Sequence, residues 1–167
     1  MTAEHFRFLA RYNSWINEKL YAASANAPDR ERKTDRGAFF GSLHGTLNHL
    51  LLADRVWMGR FENEPYAAPG LDAELYADFA QLRAARVTED ARIMRWTEQL
   101  DERTLAGTLR YTSMVNPTPR AYVYWQAVTH FFNHQTHHRG QVTTLLTQMG
   151  IDYGVTDMIA MPGVALG

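Results

Sequence analysis

Apolar residues recur at three- and four-residue intervals through four long stretches of the chain, and no stretch alternates apolar and polar residues for long. That period belongs to the α-helix, where residues one turn apart share a face. The first stretch runs from about Thr2 to Ala25 and lines up Phe6, Leu9, Asn13, Ile16 and Leu20. The second, from about Ala38 to Phe61, carries Phe40, Leu43, Leu47, Leu50, Leu51, Trp57 and Phe61, with Leu52 and Val56 widening its apolar surface. The third lies between about Asp72 and Leu100, with Leu75, Phe79, Leu82, Ile93, Trp96 and Leu100 inward. The fourth runs from about Arg120 to Met149, entered after Pro117 and Pro119 and stopped at Gly150.

Four such helices in 167 residues predict one all-α domain, a four-helix bundle spanning 1–167. Residues 26–37 and 62–71 carry the Pro, Gly and charge of loops. Leu105 to Pro119 forms either a short β-hairpin or a crossover before the last helix. The segment from Ile151 to Gly167 is apolar but broken by Gly154, Pro162 and Gly163, so it should wrap the bundle or meet a second subunit.

Charge and composition exclude several functions. Net charge is −1, only Lys19 and Lys33 are lysines, and the densest basic cluster is Arg30-Glu31-Arg32-Lys33, so nucleic acid is not an expected partner. The longest aliphatic run, Leu50 to Ala53, is far too short to span a membrane, and the N-terminus lacks a secretory apolar stretch, so a cytoplasmic location is expected. There is no cysteine. Metal ligands must then be His, Asp or Glu, and any thiol chemistry must use a small-molecule thiol.

Six of the seven histidines fall on the second and fourth helices: His44, His49, His130, His134, His137 and His138. His134 and His138 are four apart and share a face with Ala127, Phe131, Val142 and Leu145, which points both into the bundle. Two buried imidazoles one turn apart have unmet hydrogen-bonding groups, and a divalent ion bound by both satisfies them. A third ligand is expected from the second helix. His44 and His49 are five apart and do not share a face, and His44 lies nearer the main apolar stripe, so periodicity does not select His49. His130 and His137 fall on the flanks of the fourth helix's stripe, and His5 is expected in solvent.

The stretch Asn48-His49-Leu50-Leu51-Leu52-Ala53-Asp54-Arg55-Val56-Trp57 resembles the first metal-binding helix of the DinB/YfiT-like metalloenzymes. His134-Gln135-Thr136-His137-His138-Arg139-Gly140-Gln141 resembles their second ligand segment, and Tyr12-Asn13-Ser14-Trp15-Ile16-Asn17 their opening helix. The resemblance implies a divalent ion on His49, His134 and His138, an up-down-down-up bundle, and a homodimer. For some relatives it also implies transfer of a low-molecular-weight thiol to a small electrophile, with induction by DNA damage describing expression alone.

Three neutral ligands leave zinc an open position, as in catalytic sites. Zinc and nickel are the expected ions, copper being chemically similar. Two enzymatic readings follow, thiol transfer to a small-molecule substrate and hydrolysis by bound hydroxide, with a non-catalytic metal-binding stress protein as the third. Zinc peptidases place a glutamate base after the first histidine of His-Glu-x-x-His; here Gln135 stands there and cannot serve. Asn13, His44, Tyr111 and Arg139 are the candidate pocket residues, Asn13 having the alternative of a buried, backbone-bonded asparagine. Trp15, Trp57, Trp96 and Trp125 are expected in the core.

Overall fold

In the computed structural model, which describes residues 2–68, 70–113 and 117–165, four long helices carry the fold. They are α1 (Ala3–Ala25), α3 (Leu43–Phe61), α4 (Phe79–Glu98) and α6 (Tyr124–Gln148). Short helices α2 (Asp29–Lys33) and α5 (Glu102–Ala106) and a 3-10 turn at Met158–Ala160 complete the helical part. Strands β1 (Thr108–Thr112) and β2 (Pro119–Val123) pair antiparallel, with Thr108 opposite Val123 and Thr112 opposite Pro119. The chain is therefore mostly helical with a small sheet, and not all-α; the hairpin is the one of the two expected forms that the segment takes.

Helix starts are set by capping side chains rather than by the apolar stripe. Ser42 Oγ accepts from the Gly45 N–H at 3.0 Å, and Asp78 Oδ1 accepts from the Gln81 N–H at 2.8 Å. The second helix thus begins at Leu43 instead of Ala38, and the third at Phe79 instead of Asp72. Residues before Phe79 are held open by a competitor: Asn48 Oδ1 accepts the N–H groups of Leu75 and Tyr76 at 2.9 and 3.0 Å. The fourth helix begins at Tyr124, because Arg120 to Val123 belong to β2. It ends as expected at Gly150, whose φ of +69° lets the Ile151 N–H reach back to the Leu146 carbonyl.

α1 and α3 each pack on both α4 and α6. Their buried faces form two apolar clusters. One gathers Ile16, Leu20, Leu43, Leu47, Leu51, Leu82, Val142 and Leu146; the other Phe6, Ala10, Met58, Ile93, Trp96, Val128 and Phe131. Each buried Leu or Phe contributes roughly 1.5–3 kcal/mol of transfer free energy. Along α1 and α6 the chain passes from the second cluster to the first, and along α3 and α4 from the first to the second. Between the clusters, at mid-helix, lies a layer of buried polar residues: Asn13, Asn17, His49, Asp54, Arg86, Asp90, Gln135, His138 and Arg139.

The C-terminal segment lies along α1. Tyr12 donates its hydroxyl proton to the Thr156 carbonyl at 2.7 Å, Lys19 donates to the Val155 carbonyl, and Met161 is buried. No helix among the described residues is long and apolar enough to cross a membrane.

Candidate metal centre

α6 delivers His134 and His138 from successive turns, and α3 delivers His49 from the facing helix. One ring nitrogen of each lies within 4.8 Å of those of the other two. His138 Nε2 and His134 Nε2 are 3.1 Å apart. Zinc–nitrogen bonds of about 2.0–2.1 Å in tetrahedral array would space the donor atoms by about 3.4 Å, close to the separation of His134 and His138.

The far nitrogens decide the tautomers. His49 Nδ1 is 2.8 Å from the Leu71 carbonyl oxygen, which can only accept, so Nδ1 carries the proton and Nε2 the lone pair. His138 Nδ1 donates to Gln141 Oε1 at 2.8 Å, which again leaves Nε2 as the acceptor. A single proton on His134 cannot satisfy both. This is the arrangement of metal-binding histidines, whose second nitrogen is anchored to a carbonyl or amide. His49 is further fixed by Phe40, whose ring stacks on it at 3.8 Å between centroids.

All three rings are kept neutral. Burial pushes the His49 pKa down to about 4, against the pull of the Leu71 hydrogen bond and with help from His138. Burial, then His138 and His49, push His134 down to about 3, and burial also lowers His138. Neutral imidazole is the form that ligates, and the donor set fits a divalent ion of the zinc, nickel or copper type. His49 and His138 are buried and His134 is half-buried.

The remaining candidates separate. His44, which the apolar stripe favoured, lies outside the cluster; its Nε2 donates to the Tyr76 carbonyl at 2.8 Å. Asn13 bonds side chains of the polar layer: its Nδ2 donates to Asp90 Oδ1 at 3.0 Å and its Oδ1 accepts from Arg139. Arg139 also donates to Thr136 Oγ1 at 3.2 Å and points away from the ligand rings into the same polar layer. Tyr111 stands over Trp57 beside a cavity that His130 also lines. Trp96 is buried in the second cluster, Trp15 and Trp57 are partly buried and pack against the clusters, and Trp125 is exposed, not core. His5 is exposed, as expected.

Sequence reading missed the charged half of the polar layer. Arg86, 2% exposed, donates to Asp54 Oδ2 at 2.6 Å and pairs with Asp90 at 2.9 Å. Asn17 donates to Asp90 at 2.9 Å, and Gln135 donates to Asp54 Oδ1 at 3.0 Å. Burial raises both carboxyls, Asp90 to about 6, while Arg86 draws them back. Burial works against the Arg86 charge, and Asp90 and Asp54 more than offset it. The Gln135–Asp54 bond ties α6 to α3 immediately beside the ligand residues, which explains why a glutamine follows His134: it braces the site. The available signal was Asp54 inside the apolar run from Leu50 to Val56, and the i,i+4 pair Arg86–Asp90.

A mostly helical fold with three histidines from two helices converging on a point that could hold a metal ion defines the class. The chain belongs to the DinB family, whose model matches residues 1–164. It is 24% identical over 157 residues to Protein DinB of Bacillus subtilis strain 168, covering 89% of this chain and 88% of that protein. Its fold is similar to the crystal structure of a DinB-like protein from Bacillus cereus ATCC 10987, with a TM-score of 0.72 at 16% identity over 92% of this chain and 97% of the other.

Proposed function

We propose that the protein is a metal-dependent enzyme in which His49, His134 and His138 hold one zinc or nickel ion, and that it transfers a low-molecular-weight thiol to a small electrophile. The carrying observation is that three rings present neutral nitrogens to one another while the far nitrogens of His49 and His138 are anchored, and among the described residues no carboxylate joins the cluster. Three neutral ligands leave the ion its full charge, and an ion so held supplies Lewis acidity, favouring the thiolate of a bound thiol. With no cysteine in the chain, the sulfur comes from the cosubstrate. Around it the chain's own groups have defined tasks. Leu71 and Gln141 orient the two rings, Phe40 covers one flank, and the Gln135–Asp54 bond fixes the separation of α3 and α6.

The order in which the four long helices traverse the two apolar clusters supports their reading as an up-down-down-up bundle. The same reading takes the molecule as a cytoplasmic homodimer. Phe39 and Ile159, 84% and 79% exposed, are apolar groups available to a second copy.

Incubating metal-loaded protein with candidate small thiols and a chromogenic aryl halide tests the activity. Thioether formation and halide release above the rate of the metal-free protein are expected. Equal rates with and without metal would overturn thiol transfer, and metal-dependent turnover without thiol would assign the site to hydrolysis.

A further inference from the structure

A cavity of about 230 Å³ lies between the last turns of α3, the loop that follows and strand β1. Arg60 and Arg110 line it, together with Asn63, Tyr66, Tyr111 and Thr112, and no Asp or Glu does. The loop is held down on the helix: the Glu64 N–H donates to the Gly59 carbonyl at 2.8 Å. A Cβ on Gly59 would lie 2.6 Å from the Glu64 carbonyl oxygen and 2.8 Å from the Tyr66 nitrogen, so this wall of the cavity needs glycine there.

Arg60 differs from the other half-buried arginines. Arg7 pairs with Glu4 and Glu98, Arg36 with Glu31, Arg55 with Glu89, and Arg92 with Glu62 and Glu89. Among the described residues Arg60 has no carboxylate in ion-pair range, and neither has Arg110. The Arg60 guanidinium lies instead 4.4 Å from the Trp57 ring centre and 4.1 Å from that of Tyr111. Ring faces attract a cation but offer its in-plane N–H groups no lone pair. Burial lowers the Arg60 pKa, with Tyr111 and then Tyr122 acting against it. The C-terminal end of α3 supplies only about half an elementary charge, so most of this cation is uncompensated. A guanidinium holds two oxygens of a carboxylate or phosphate through parallel hydrogen bonds, and two guanidiniums on one cavity call for two negative charges.

We propose that this cavity binds a small dianion, a phosphate group or a dicarboxylate, between Arg60 and Arg110. The site shares no residue with the three-histidine cluster and does not depend on the reading of that cluster. Arg60, fixed against two rings, is the primary contact, and Arg110 supplies the second charge from the hairpin.

Inorganic phosphate, succinate and acetate are titrated into the protein at constant ionic strength, at a pH where phosphate is mainly dianionic, and followed by tryptophan fluorescence and ligand-observed NMR. Phosphate or succinate should bind saturably and about tenfold more tightly than acetate; whichever binds better tells a phosphate site from a dicarboxylate site. Arg60→Gln and Arg110→Gln should each weaken that binding about tenfold, and Arg60→Lys, which keeps the charge without the fork, should lose less. Arg120→Gln, on β2 and outside the cavity lining, should stay within about twofold of wild type. Circular dichroism of each variant checks the fold, and Arg110→Gln, at an exposed strand position, keeps the test open if Arg60→Gln does not fold. Unchanged binding in Arg110→Gln or in a folded Arg60→Gln, no saturable binding of either dianion, or acetate bound as tightly as both overturns the proposal. His134→Ala separates this site from the metal centre: dianion binding within about twofold of wild type supports the arginine site, whereas binding lost there and kept in Arg60→Gln assigns the anion to the metal and overturns it.

Discussion

The polar layer at mid-bundle has two halves that obey different rules. In one half, Arg86 pairs with the carboxylates of Asp54 and Asp90, Asn13, Asn17 and Gln135 donate to those carboxylates, and Arg139 joins through Asn13. Two negative and two positive charges cancel, so the set is closed in charge. On the α3–α6 side, His49 and His138 aim acceptor nitrogens at a common point with His134, and no carboxylate among the described residues joins them there. Buried polar groups are normally satisfied by neighbours. The charged half meets most of that requirement internally, leaving Arg86 Nε and Gln135 Oε1 without a partner, while the histidine half is arranged so that a cation could meet it. Burial alone therefore does not mark a functional group; burial with a convergent and unbalanced donor set does.

The largest expected effect breaks the closed half. Asp54→Ala leaves Arg86 buried with one carboxylate fewer and frees Gln135, and should cost about 3–5 kcal/mol of stability in chemical denaturation. A loss below about 1 kcal/mol would contradict the closed-network description. His49→Ala attacks the other half. Structural zinc sites with four ligands bind with about 10–16 kcal/mol, so each ligand carries about 3 kcal/mol, and metal affinity should fall about a hundredfold or more in calorimetric titration. His44→Ala should leave that affinity within about twofold, since His44 bonds the Tyr76 carbonyl instead.

Smaller effects sharpen the contrast. Gln141→Leu removes the anchor on His138 Nδ1 and should weaken metal binding about tenfold, a loss typical of such supporting bonds. The pH dependence has a defined sign. Protonated imidazole cannot ligate, and affinity falls as pH drops through the folded-state pKa. For His49 and His134 these lie at about 4 and about 3, well below the ordinary 6.5. His138 is lowered as well, so affinity should persist to lower pH than that of exposed imidazoles and be lost as pH falls through about 4, where His49 protonates. An exposed histidine trio would lose its ion in the pH 6 range.

The sequence made the helices legible because their periodicity reports burial directly, but periodicity says nothing about who competes for a backbone N–H. Asn48 takes those of Leu75 and Tyr76, so an apolar pattern that looks helical from residue 72 stays open until Asp78 caps α4. α2 was hidden by its charge: Arg32 is buried, donating to the Ser24 and Ala27 carbonyls, an attachment no local pattern reveals. In the site, spacing alone paired His134 with His138. His49 came only through the family resemblance, because its orientation depends on the Leu71 carbonyl of a loop 22 residues away. Asp54, Arg86 and Asp90 carry only a faint sequence signal, since most of their pairing runs across helices.

Anomalous diffraction from crystals grown with zinc tests the central claim most directly. The expected result is one peak per chain, about 2.0–2.1 Å from a ring nitrogen of each of His49, His134 and His138, and absent from His49→Ala crystals. A peak bonded to fewer than two of these rings, or none at saturating zinc, would contradict the metal centre and the function built on it.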